Sequence, residues 1–150
     1  CGAMDEVTPM VLDLFHQTGG HVFPAGEASV FYVLSSTPGE KTSAGISELV
    51  IETFNDINFI ARCNKTFEKY NLNNENTAIF SDLDISSIFP SGNYLLVPVL
   101  PETGYFPTYT AVALQKAIEY LKEHQELSYA AIIAADNGKN YRMILIQSFT

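Results

Sequence analysis

The chain has 150 residues, 47% of them hydrophobic and only 17% charged, below the ~25% charged residues of an average soluble protein. That composition excludes a disordered tail, no apolar run approaches the ~18 residues of a membrane span, and one domain of this length needs no disulfide or metal staple. Eight Lys plus Arg against 17 Asp plus Glu leave a formal net charge of −9, which repels phosphate backbones and anionic lipid and so argues against nucleic-acid and membrane-surface binding.

Cys1 and Cys63 are the two cysteines, so no multi-bridge secreted framework is available and a cytoplasmic location is expected. Cys1-Gly2-Ala3-Met4 reads as an expression scar over residues 1–4, ahead of a single globular domain over residues 5–150. Two other readings compete for Cys1. One is the lipid-bearing first residue of a bacterial lipoprotein. The other is an N-terminal nucleophile that uses its own α-amino group as base.

In chain order, Thr8-Pro9 supplies an N-cap and a first-turn proline, and Met10, Val11, Leu14 and Phe15 recur at helical spacing, which predicts a helix from Val7 to Gln17 stopped by Gly19-Gly20. Ala28 to Ser36 is apolar on both faces and reads as a central strand. From Ser43 to Phe54, the spacing of Ile46, Leu49, Val50, Thr53 and Phe54 predicts a second helix. The stretch from Asn55 to Leu72 reads as helix, with Ile57, Ile60, Ala61, Phe67 and Tyr70 on one face, and a short strand at Ile57–Ile60 as the competitor.

Thr77 to Leu83 is strand-like, Asp82 to Phe89 reads as a turn with a helical stub, and Tyr94 to Val99 is a strand whose Pro98 marks an end or an edge. Val112, Ala113, Lys116, Ala117, Tyr120 and Leu121 form the stripe of a helix from Thr110 to His124. Tyr129–Ala135 and Tyr141–Phe149 flank Asn137-Gly138, the signature of a hairpin. The sum is α+β: a mixed sheet of about five strands, three or four helices packed on it, and a C-terminal β-hairpin.

Groups able to carry chemistry are scattered. His16, His21 and His124 have no metal-ligand spacing, and Asp82 and Asp84 sit among serines typical of turns and caps. No glycine-rich phosphate cradle occurs, and neither a metal nor a cofactor is expected. Cys63, in Arg62-Cys63-Asn64-Lys65, is a nucleophile only if a histidine meets it in space. Asn64-Lys65-Thr66 has the form of a glycosylation sequon, which means little without secretion.

The feature that stands out is aromatic. Phe89 and Tyr94 bracket one Gly/Pro loop, and Tyr105, Phe106 and Tyr109 crowd a second. Rigid loop aromatics make good contact anchors. These residues, with the negative charge, point to a non-enzymatic protein-binding domain: an acidic adaptor, a secretion-chaperone-like protein or an immunity-type protein. Its expected partner is another protein, of basic character. A small cysteine-dependent hydrolase or transferase using Cys63 is the competing class, and a lipoprotein anchored through Cys1 is the third.

Overall fold

A computed structural model of the chain describes residues 2–5, 28–31, 37–40, 42–53, 55–81, 83, 85, 94–99, 109–136 and 140–149. Their elements, in chain order, are β1 (Gly2–Asp5), β2 (Ala28–Phe31), β3 (Ala44–Thr53), α1 (Asp56–Lys69), β4 (Thr77–Phe80), β5 (Leu95–Val97), α2 (Tyr109–Glu123), β6 (Tyr129–Asp136) and β7 (Asn140–Ser148). Five strands form one mixed sheet in the order β3-β7-β6-β4-β5. The pairs β3–β7 and β7–β6 are antiparallel, whereas β6–β4 and β4–β5 are parallel.

Alternation along the strands divides the core in two. Ile79, Ala131, Ile133, Met143 and Leu145 face α1, and Ala78, Phe80, Ala130, Ile132 and Ile146 face α2. Each helix contributes a stripe. Phe59, Cys63, Thr66 and Phe67 are the buried positions of α1, and Ala113, Ala117 and Leu121 those of α2. Small residues on both sides, Ala113 and Ala117 against Ala130, belong to one cluster and let α2 approach the sheet closely. Helix α1 lies on β3 and β7, while α2 lies chiefly on β6 and also contacts β2 and β7.

The α+β class, the mixed five-stranded sheet and the closing hairpin match the sequence reading. The β6–β7 pairing runs out to Asp136 opposite Asn140. Helix α1 starts where its cap dictates, because Asn55 Oδ1 accepts from the Asn58 amide at 2.9 Å. Strand β5 is an edge and ends immediately before Pro98.

Three expectations are corrected. The described residues contain two helices, not three or four; the helix expected at Val7–Gln17 lies outside them, as does most of the stub expected at Asp82–Phe89. In the segment Ser43–Phe54, expected to be a helix, Ala44–Thr53 is strand β3 and Phe54 lies outside the description. The reason is a β-bulge between Ile46 and Glu48, which inserts one residue and puts Ile46 and Leu49 on one face three positions apart. That spacing imitates a helix, while Ile46, Val50, Ile51 and Thr53 are β-branched residues that favour strands. Ala28 does begin a strand, but Ala28–Phe31 pairs with Gly2–Asp5 in a separate two-stranded ribbon and is therefore not a central strand of the main sheet. Residues 32–36 lie outside the description.

The layout predicts a sharp contrast between two apolar truncations. Leu145→Ala empties a fully buried site and is expected to cost about 2–5 kcal/mol in urea unfolding. Ile57, on the solvent side of α1 and 77% exposed, is expected to tolerate alanine within about 0.5 kcal/mol.

Candidate functional site

Strand β3 is where the molecule departs most from ordinary burial. Its inward residue Val50 pairs with Met143 and enters the α1-side core. The residues on its other face, Ile46, Leu49 and Ile51, remain 57%, 50% and 56% exposed. They stand beside Ile146, Ile144 and Arg142 of β7 in register. The two helices are staggered, so α1 covers β3 on one side while α2 is centred over β6 on the other. An apolar stripe on an edge strand results.

The α1 side of the same strand is charged and tied down. Lys69 Nζ donates to Glu48 Oε2 at 2.6 Å, Arg62 pairs with Glu52, and Arg62 Nη1 donates to the Ile51 carbonyl at 3.1 Å. Tyr70 Oη donates to the Ser47 carbonyl at 2.9 Å and so holds the bulge. The hydrogen bond from Lys69 holds the Glu48 carboxyl below its ordinary 4.5, and the same bond raises the Lys69 ammonium above 10.5. Lys69 is exposed and Glu48 half-buried at the surface, so the pair orients side chains more than it stabilises the fold. With these signs, the Glu48 contribution is present above its ordinary pKa and fades as pH falls through the lowered one. The Lys69 contribution is complete below 10.5 and fades as pH rises through the raised value.

The residues singled out in sequence are dispersed. Tyr94 is half-buried and meets Phe67 edge-on at 5.4 Å in the α1-side core. Tyr109 packs against the α2-side core, on the opposite face of the sheet. Phe89, Tyr105 and Phe106 lie outside the described residues, as do Cys1, His16, His21, Asp82 and Asp84. Next to Asp82, Ser81 Oγ accepts from the Leu83 amide at 3.1 Å, the turn chemistry expected of that stretch. His124 stacks on Tyr120 at 4.0 Å, and its Nδ1 lies 3.0 Å from Glu126 Oε1 at the exposed end of α2. Glu126 is held below the ordinary carboxylate range by a backbone hydrogen bond first and by His124 second.

Cys63 is fully buried on α1, and burial pushes its thiol up to about 12 against a smaller opposing pull from Arg62. A thiol in that state is protonated at neutral pH and packs as a small hydrophobe. The sequon is helical, and its Thr66 is buried with Oγ1 donating to the Arg62 carbonyl at 3.1 Å. Among the described residues, no three His, Cys, Asp or Glu side chains converge as metal ligands, and no helix is long and apolar enough to cross a membrane.

Sequence reasoning placed Ile46 and Leu49 on a helix and so missed the stripe. The signal was present in Glu48-Leu49-Val50-Ile51-Glu52, where charge–apolar alternation of 48 and 52 against 49 and 51 has the period of a strand.

No family model matches this chain, and no curated protein matches it. Among solved structures, it is similar to a chain of the apo AntDE:AntF assembly, described as a type II polyketide synthase acyl-carrier protein in complex with its ketosynthase bound to the hexaketide. The TM-score is 0.54 at 15% identity, over 69% of this chain and 33% of that one. At that identity the likeness is one of fold, and the match spans about a third of the solved chain's length.

Two measurements test the electrostatics. In a Cys1→Ser background, Cys63 is expected to be silent toward a colorimetric thiol reagent in the native state and to react fully in denaturant. In Lys69→Met, the Glu48 carboxyl followed by NMR titration is expected to move up toward 4.5, because the donor that lowers it is gone.

Proposed function

We propose that this chain is a non-enzymatic, acidic protein-binding domain that works by docking another polypeptide on the outer face of β3. The observation that carries this reading is the half-exposed Ile46, Leu49 and Ile51 stripe on an edge strand. Three large aliphatic side chains side by side on the surface of an edge strand expose apolar area to water unless a partner covers them. The net charge of −9 favours a partner of basic character, through faster association at low salt.

The solved neighbour supports the reading in one general respect. There the same fold makes up a third of a longer chain that works within a protein complex. The ketosynthase and carrier named for that assembly stay with that assembly. A buried thiol raised to about 12 offers nothing to the competing cysteine-dependent reaction at neutral pH, and it suits a reducing cytoplasm, where we place the domain. From their sequence alone, Phe89, Tyr105 and Phe106 are proposed as further contact anchors, whereas Tyr94 and Tyr109 pack in the two cores of the sheet.

Co-purification under native conditions tests the proposal. A partner recovered with the wild-type chain is expected to be lost with Leu49→Lys/Ile51→Lys and weakened in Tyr105→Ala/Phe106→Ala, with unchanged circular dichroism in both. Recovery should fall as ionic strength rises. Failure to recover any protein, or capture indifferent to the β3 substitutions, removes the proposal.

A further inference from the structure

The two edges of the main sheet are built differently. Strand β5 is three residues long and is followed at once by Pro98, a short edge of the kind that resists further pairing. Strand β3 has ten residues, and among the described residues only β7 pairs with it. Between Glu48 and Glu52 it carries no lysine or proline, and the bulge at Ser47 limits the open edge to the residues after it. An edge of that kind is a template for one more strand.

The sequence of the edge indicates which strand. Glu48-Leu49-Val50-Ile51-Glu52 reads alike in both directions: acid, aliphatic, aliphatic, aliphatic, acid. A two-fold axis through an antiparallel strand pair demands such self-complementarity, because each residue meets its mirror position in the other copy. We infer that the occupant of the β3 edge is a second copy of this chain, paired β3 to β3 antiparallel about Val50, which would join the two five-stranded sheets. This rests on the β3 docking face of the protein-binding reading but replaces its basic partner with a second acidic copy of net charge −9, so the dimer should tighten rather than weaken as salt screens that repulsion.

In that register Leu49 of one copy stands opposite Ile51 of the other, twice over, so four half-exposed aliphatic side chains gather around the axis. Glu48 stands opposite Glu52 of the second copy, which alone would be repulsive. Each carboxylate already carries its own cation, Lys69 on Glu48 and Arg62 on Glu52. The four charges on each side of the axis therefore sum to zero. Arg62 gives up the Ile51 carbonyl to the incoming strand and keeps Glu52 as its partner. The bulge held by Tyr70 ends the pairing at Ser47, since an unpaired extra residue disrupts the ladder. The closed two-fold arrangement uses up the free edge of both copies and stops at two.

Sedimentation velocity and register-specific cross-linking of the full chain, in a Cys1→Ser background, test the inference. The chain is expected to form a concentration-dependent dimer. Leu49→Lys should sediment as monomer, and the milder Leu49→Thr should shift the equilibrium toward monomer with the fold intact by circular dichroism. Chains carrying Leu49→Cys and chains carrying Ile51→Cys, mixed and oxidised, should give a disulfide-linked pair. Neither variant alone should do so, because directly opposite Cβ atoms lie within reach and diagonal ones do not. A wild-type monomer at every concentration, or equal cross-linking in unmixed samples, overturns the inference. If the wild type is monomeric but Leu49→Lys still loses a co-purifying protein, the second copy is wrong and the docking face stands. If Leu49→Lys changes neither, both readings fall.

Discussion

The pairing of β6 with β7 is the constraint on which the rest of this structure depends. Eight consecutive residue pairs run from Tyr129 opposite Gln147 to Asp136 opposite Asn140, and side chains alternate to the two faces along the whole ladder. Ala131, Ile133, Met143 and Leu145 define one core, while Ala130, Ile132 and Ile146 define the other. Every other element of the main sheet is placed relative to this hairpin: β4 and β5 extend it in parallel on one side, and β3 adds antiparallel on the other. A slip of one residue here would exchange the two cores, so the register is strongly specified.

The stagger of the helices follows from that centre. Bulky Phe59 and Phe67 on α1 seat against Val50, Met143 and Leu145, with Phe59 stacking on Tyr141 at 5.4 Å. The alanine stripe of α2 seats on the alanine-rich β6. The two helices therefore do not lie back to back. Among the described residues, their offset leaves one face of β3 without a helix, and Ile46, Leu49 and Ile51 are half-exposed there. The same offset brings Arg62 and Lys69 over the acidic side of β3, so a single strand is apolar on one face and ion-paired on the other.

Cys63 illustrates how position in the fold decides chemistry. Flanking cations in sequence favour a thiolate, but the side chain lies in the buried stripe of α1, and loss of hydration outweighs the pull of Arg62. Tyr94 and Tyr109 make a similar point. Both belong to loop-rich sequence, yet one closes the α1-side core and the other the α2-side core, on opposite faces of the sheet.

Much of the architecture was legible in the amino-acid sequence, because it rests on local signals. Alternation and Asn-Gly marked the β6–β7 hairpin, helical spacing marked α2, and Pro98 marked the end of β5. Segment α1 is a helix as read, but it buries Phe59, Cys63, Thr66 and Phe67 rather than the face of Ile57 and Ala61 that the spacing selected. The strand identity of residues 44–53 was not legible in the same way, since a single bulge at Ser47 converts a period of two into a spacing of three and four. Nor does spacing along a chain say which face of β3 the helices leave bare. That is decided by how two helices of different girth, one carrying phenylalanines and one alanines, settle on the same sheet, a property of packing that exists only once the chain has folded.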